Sequence, residues 1–171
     1  MLVKAQEKDL SLIMEIINDA KLYLKNQNSL QWNLPDGYPR REDLLKDIKN
    51  ESCYLYLENN EIIGTMSILF TPDENYFEIN GKWLTNDTYA SIHRIAIKNT
   101  HHHKKIGIKM LLEAEEIVKQ NNIYSIKIDT HKINIPMTKT IEKSGYTYCG
   151  VITLKRSKED NLRNAYEKRL V

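Results

Sequence analysis

The sequence predicts an α/β fold, a mixed sheet with helices on both faces, over one domain of residues 1–171. Three observations point there. β-rich runs alternate with helical patterns only in the second half, which argues against a pure doubly wound parallel sheet. Hydrophobic residues make up 41% of the 171, enough to pack a core without a metal or disulfide. No low-complexity linker or internal repeat divides the chain.

Residues 2–5 read as a short first strand. Leu10, Ile13, Met14, Ile17, Ala20, Leu22 and Leu24 keep helical spacing, which predicts a helix over 10–25 capped by Asp9 or Ser11. Residues 31–39 carry Trp32 and Tyr38 in a loop, and a second helix covers 41–49. Two β-rich runs, 53–58 and 61–70, flank Asn59-Asn60 and read as a hairpin. A polar connection over 71–88 leads to an isoleucine-rich strand over 89–97. The clearest helix is 104–120, with Ile106, Met110, Leu111, Ala114, Ile117 and Val118 on one face. A strand over 125–129 precedes a short helix over 135–144, with Pro136 in its first turn and Gly145 ending it. Residues 146–154 and 164–170 are the last two strands, giving the order β-α-α-β-β-β-α-β-α-β-β.

Charge narrows the function. Lys and Arg total 25 against 23 Asp and Glu, a net +2, too balanced for a dedicated nucleic-acid or anionic-membrane binder. Cys53 and Cys149 lie far apart, which excludes a disulfide-stapled scaffold and a CxxC zinc site. No transmembrane or signal segment is recognisable, so the expectation is a cytoplasmic protein that engages neither nucleic acid nor membrane.

The chemistry concentrates in residues 91–120, a strand, a basic loop and a helix. The loop over 98–105 holds Lys98, His101, His102, His103, Lys104 and Lys105 and no acidic residue. A helix N-terminus adds unpaired N–H groups and partial positive charge, which suits a phosphate or pyrophosphate. Gly107 lets a ligand approach the backbone. This stretch resembles the cofactor loop of the GNAT (Gcn5-related) N-acetyltransferases, Gln/Arg-x-x-Gly-x-Gly/Ala, aligned on His102-His103-Lys104-Lys105-Ile106-Gly107. The second glycine matches; Lys105 replaces the first, and His102 stands at the Gln/Arg position. Arg94-Ile95-Ala96-Ile97 resembles the family's fourth strand. Asn134 with Glu142-Lys143-Ser144-Gly145-Tyr146, and Arg163-Asn164-Ala165-Tyr166-Glu167-Lys168, resemble its closing segments.

The resemblance implies a mostly antiparallel GNAT-type sheet of about seven strands and acetyl transfer from acetyl-CoA to an amine. It implies that pantetheine pairs with the backbone of Ile95, Ala96 and Ile97, where the family's fourth and fifth strands splay apart. Pyrophosphate would sit on the N–H groups of His102, His103, Lys104, Lys105, Ile106, Gly107 and Ile108, and Asn134 would touch the CoA arm. The last strands of family members often pair between subunits, so a homodimer is one option.

The tyrosine that many members carry four residues before the last helix's glycine is Ile141 here. Tyr146 and Tyr148 lie nearby without aligning; Tyr146 is kept as an acid candidate, and the thiolate can also leave unaided. His93, on the fourth strand, is the first choice as base, against the alternative of a packed, hydrogen-bonded histidine. Glu78 is second, and Asp129 with His131 third. Trp32, Tyr38 and Trp83 fall where the family covers its acceptor, with Asp36, Glu74 or Asp87 to draw a cation; the alternative is loop anchoring. The three consecutive histidines do not converge on one ion, so no metal is expected. Cys53 and Cys149 are read as core residues.

The reading is acetyl transfer to a small-molecule amine or a peptide N-terminus. The alternatives are a catalytically silent acyl-CoA-binding module and a nucleotide or RNA binder using the basic loop 98–109.

Overall fold

The computed structural model describes residues 1–102 and 105–171; His103 and Lys104, both expected on the phosphate loop, lie outside the described residues. The strands are β1 (Leu2–Lys4), β2 (Cys53–Glu58), β3 (Glu61–Leu69), β4 (Asn80–Gly81), β5 (Ala90–Ile97), β6 (Ser125–Thr130), β7 (Thr147–Thr153) and β8 (Leu162–Arg169). The helices are α1 (Leu10–Asn26), α2 (Arg41–Lys49), α3 (Ile106–Gln120) and α4 (Ile135–Lys143). The strand order is β1-β2-β3-β5-β6-β8-β7-β4, mostly antiparallel, with a parallel β5–β6 pair.

Among the described residues eight strands form where about seven were expected. The addition is β4, two residues inside the polar connection, paired at Asn80↔Val151 and Gly81↔Gly150. Two residues are too short to show period-2 alternation. Paired glycines make the approach possible: a Cβ on Gly81 would lie 2.1 Å from the Cys149 carbonyl oxygen, and one on Gly150 2.2 Å from that of Asn80. β5 thus takes the place of the expected fourth strand.

The chain divides into two compact units, Met1–Ile68 with Arg94–Met110, and Leu69–His93 with Leu111–Val171. In the first, α1 buries Leu10, Ile13, Ile16 and Ile17 against Leu44 and Ile48 of α2, Cys53 and Leu55 of β2, and Ala96 of β5. Leu22, counted on the apolar face, instead points to solvent. Asp9 does not cap α1 with its side chain. Its Oδ2 accepts from the Gln6 N–H at 2.8 Å and closes a short 3₁₀ turn ahead of the helix. Asn59 and Asn60 both take positive φ, 51° and 63°, as the hairpin turn requires.

In the second unit β8 is central, flanked by β6 and β7. Glu167 on β8 is fully buried and anchors the connection leading to β5. It accepts from the Leu84 N–H at 2.7 Å, the Thr85 hydroxyl at 2.8 Å and the Ser125 hydroxyl at 2.7 Å. Tyr76, Ile152 and Ala165 pack together there, with Trp83, Tyr89 and Leu154 around them.

Both cysteines are buried, as expected for core residues. Burial pushes the Cys53 thiol up to about 11, and Cys149 shifts in the same direction for the same reason. A thiol held protonated is a poor nucleophile. The native protein should therefore react with an aromatic disulfide reagent far more slowly than the unfolded chain, which should release two equivalents. Rapid native labelling of either cysteine would show that its strand opens.

Candidate active site

His93 sits in the first half of β5, within the second unit. Its side chain is 17% exposed, and Nε2 lies 2.9 Å from Asp73 Oδ2. The contact is within ion-pair distance but does not have the geometry of a directed hydrogen bond. Nδ1 is 3.9 Å from Asp129 Oδ2, which also accepts a 2.6 Å hydrogen bond from the Tyr76 hydroxyl. The histidine is therefore flanked by two carboxylates, with the Tyr76 ring centroid 5.8 Å away.

The connection before β5 is what brings Asp73 there. Asp73 caps the 3₁₀ turn Glu74–Tyr76, its Oδ1 accepting from the Asn75 N–H at 2.9 Å, and its own N–H donates to the Tyr89 hydroxyl at 3.1 Å. Burial pushes the Asp73 carboxyl up, but His93 and the Asn75 donors outweigh it and hold it below its ordinary 3.8. Burial beside the Asp129 carboxylate keeps Tyr76 well above the usual phenol range, so it stays a hydrogen-bond donor.

The next residue belongs to the first unit. Arg94 has φ +54°, left-handed backbone in mid-strand. Its guanidinium is buried against Asp47 of α2, Nε to Oδ2 at 2.6 Å and Nη2 to Oδ1 at 2.9 Å. Ser67 donates to Asp47 Oδ2 at 2.6 Å, and Arg94 Nη1 donates to the Tyr38 hydroxyl oxygen at 2.6 Å. Beyond it lie Ile95, Ala96 and Ile97, then a 3₁₀ turn, Asn99–His101. The His102 ring stands 3.3 Å from the Ile97 carbonyl oxygen through Nε2, edge-on to Tyr23.

Lys105 takes φ +58° and its carbonyl accepts from the Lys109 N–H at 3.2 Å, opening α3. The lysine that replaces the family's first glycine thus adopts the left-handed backbone that glycine favours. Ile106 and Gly107 are buried and Ile108 is half-buried.

The remaining expected residues fall as follows. Glu78 is exposed, and the carboxylates beside His93 are Asp73 and Asp129. His131 pairs with Asp160 at 2.7 Å. Tyr146 is buried under the Lys168 ammonium, 5.7 Å from its ring centroid, with its hydroxyl unpartnered. Asn134 caps α4, accepting from the Met137 N–H at 3.3 Å, and Ile141 is fully buried. Trp32 packs on the core of the first unit. Trp83 donates to the Tyr76 carbonyl at 3.0 Å, with the buried Lys127 ammonium 4.2 Å from its ring. Burial lowers the Lys127 pKa.

Sequence reading missed Asp73, Tyr76 and Asp47. Asp47 carries a usable signal, a carboxylate sharing the apolar face of α2 with Leu44 and Ile48. Asp73 follows a proline in an ordinary turn pattern, which does not say where the turn folds. No helix among the described residues is long and apolar enough to cross a membrane.

The chain belongs to the acetyltransferase (GNAT) family, whose model matches residues 17–146. It is similar over its whole length, at 28% identity and TM-score 0.90, to a GNAT-family acetyltransferase from Streptococcus agalactiae, of which it covers 95%. It is 25% identical over 116 residues to the streptothricin acetyltransferase of Escherichia coli; that match takes in 66% of this chain and spans 59% of the relative's length. The aminoglycoside acetyltransferase AAC(6')-Ib, solved with coenzyme A, shares the fold at TM-score 0.69 and 18% identity, over 99% of this chain and 94% of that one.

Two expectations follow. A left-handed residue with a Cβ costs roughly 1–2 kcal/mol, part of which glycine returns as unfolded-state entropy. Lys105→Gly should therefore raise stability by up to about 1 kcal/mol in urea unfolding; a loss would show that the lysine side chain holds the loop. Asp73 has a folded pKa below its ordinary 3.8, so its stabilisation is present above 3.8 and is lost as pH falls through the folded value. Asp73→Asn should destabilise at neutral pH, and the gap to wild type should close in the acid range below 3.8. A gap independent of pH would show that the carboxylate's charge contributes nothing.

Proposed function

We propose that the protein is an N-acetyltransferase that moves an acetyl group from acetyl-CoA to a primary amine of a small molecule, by direct attack in a ternary complex. The observation that carries this reading is the make-up of β5. His93, with Asp73 Oδ2 2.9 Å from its ring, is followed at once by the left-handed Arg94 and the segment Ile95, Ala96 and Ile97. One strand thus carries a base and, next to it, backbone for the acyl donor.

In this reading Ile95, Ala96 and Ile97 pair with the pantetheine arm, and the Ile95 N–H donates to the thioester carbonyl oxygen as charge develops there. The N–H groups of His102, Lys105, Ile106, Gly107 and Ile108 hold the pyrophosphate, supported by the glycine-like backbone of Lys105. The amine nitrogen attacks the thioester carbonyl carbon, the C–S bond breaks, and the nitrogen's proton passes to His93 directly or through water. The Asp73 and Asp129 carboxylates then stabilise the imidazolium. With Ile141 at the family's tyrosine position, the sulfur leaves as a thiolate and takes its proton from water; a thiol pKa of about 8.5 makes that feasible. Glu78 and Tyr146 carry no step.

Two carboxylates around His93 favour a cationic amine, with Trp83 of the same unit as an acceptor-side wall. Streptothricin acetyltransferase, by its name, acts on a small molecule, and AAC(6')-Ib has been solved with an aminoglycoside and coenzyme A. A peptide N-terminus is the other acceptor class. The second reading, a silent acyl-CoA-binding module, draws on the buried Ile141, which offers no hydroxyl.

Calorimetric titration with acetyl-CoA, CoA and ATP, followed by thiol release with a panel of amines, tests both readings. The expected result is binding that depends on the pantetheine arm, and turnover that His93→Ala lowers by roughly 10²–10⁴-fold with little change in acetyl-CoA affinity. Binding without turnover for any amine would favour the silent module. No binding of either CoA form would end both.

A further inference from the structure

We propose that Arg94 is a positioning residue of the acyl site. Gripped by Asp47, Ser67 and Tyr38, its side chain holds the left-handed turn that aims the Ile95 N–H and couples that turn to the loop carrying Tyr38. The inference rests on the acetyl-transfer reading above and gives it a device that neither the residue types nor their spacing display.

The turn needs holding. A non-glycine residue at φ +54° inside a strand is strained, and arginine has no short polar side chain to offset that locally. Such a conformation persists where its surroundings over-determine it. Here three elements close on one guanidinium. The carboxylate of Asp47 takes Nε and Nη2 in a fork from α2. From β3 the Ser67 hydroxyl accepts from Nε at 3.3 Å while donating to Asp47. In the 31–39 loop the Tyr38 hydroxyl accepts from Nη1.

The loop is itself fixed. Lys21 Nζ of α1 donates to the carbonyls of Gly37 at 2.7 Å and Pro39 at 2.8 Å, and Asn33 Nδ2 donates to the Lys21 carbonyl at 3.1 Å. A displacement of Tyr38 is therefore felt at Arg94, and the left-handed peptide passes it to Ile95.

A buried ion pair is weak evidence for stability alone, because well-packed apolar residues often do as well. What the planar fork supplies is direction, which a lysine's point charge does not. The location matters equally: the pinned residue directly precedes the segment proposed to carry the thioester.

The test uses Arg94→Lys, Ser67→Ala and Tyr38→Phe in the full chain. Each is read by kcat and KM for both substrates, by calorimetric affinity for CoA, and by the carbonyl stretch of bound ¹³C-labelled acetyl-CoA. Arg94→Lys should lower kcat by roughly 10²-fold, the size expected for a misplaced reacting group, while CoA affinity changes little. Its bound carbonyl band should move back toward the solution frequency. Tyr38→Phe should raise the acceptor KM several-fold and move the carbonyl band in the same sense as Arg94→Lys but less. Ser67→Ala, which removes one hydroxyl from the grip, should move kcat and the band in the same sense as Arg94→Lys but less; it decides the matter should Arg94→Lys not fold. Parallel losses of stability, CoA affinity and kcat with an unchanged band would overturn the inference and leave Arg94 a packing residue. Failure of the wild type to turn over any amine would instead remove the acetyl-transfer reading itself.

Discussion

A left-handed residue in mid-strand has to be held there, and in β5 the buried Arg94–Asp47 pair does it. The constraint reaches outward along the chain. Asp47 can meet the guanidinium only because α2 packs Leu44 and Ile48 of the same face into the core. Ser67 reaches it because β2 and β3 pair at Cys53↔Ser67. Removing one partner would strand a buried charge at a cost of about 3–5 kcal/mol, so the pair is hard to lose piecemeal. The geometry of β5 is thus underwritten by residues at least 27 positions away in sequence.

The second unit solves a different problem, how to hold an irregular connection against a sheet. The segment between β3 and β5 contributes one two-residue strand and a single 3₁₀ turn. Buried side chains replace the missing backbone ladder. Glu167 gathers Leu84, Thr85 and Ser125, and Asp129 takes the Tyr76 hydroxyl. Ser125 and Asp129 are two strand periods apart on β6, so alternation places both on the face that the connection covers. The same face receives Lys127 between Trp83 and Tyr89. His93 thereby acquires carboxylate neighbours from two directions.

Much of this was legible in the chain. Helical periodicity locates α1 and α3 to within a residue or two, because each has a continuous apolar face to bury. The family resemblance rests on short patterns that local backbone geometry supports: Gly107 lies in the first turn of α3, and Lys105 keeps a glycine-like φ despite its side chain. The strand position and chemistry of His93 mark it in the sequence, which does not display its neighbours. What remained hidden was long-range. Asp73 and His93 meet across a connection whose path no local pattern encodes, and the partners of Arg94 come from three separate elements. Glu78, a base candidate from the sequence, is exposed, whereas Asp73 faces His93. β4 escaped because a two-residue pairing leaves no periodic trace.

The two tryptophans are distributed one to each unit, Trp32 on the core of the first and Trp83 stacked beneath Lys127 in the second. Intrinsic fluorescence is thereby partitioned along the same boundary as the fold. A chain keeping only Trp32 reports when the helical layer of the first unit loosens. One keeping only Trp83, whose ring faces a cation, reports when the connection peels from β6. Comparing the two emission curves during denaturation reveals whether β5, which runs through both units, makes them melt together or lets one half come apart first.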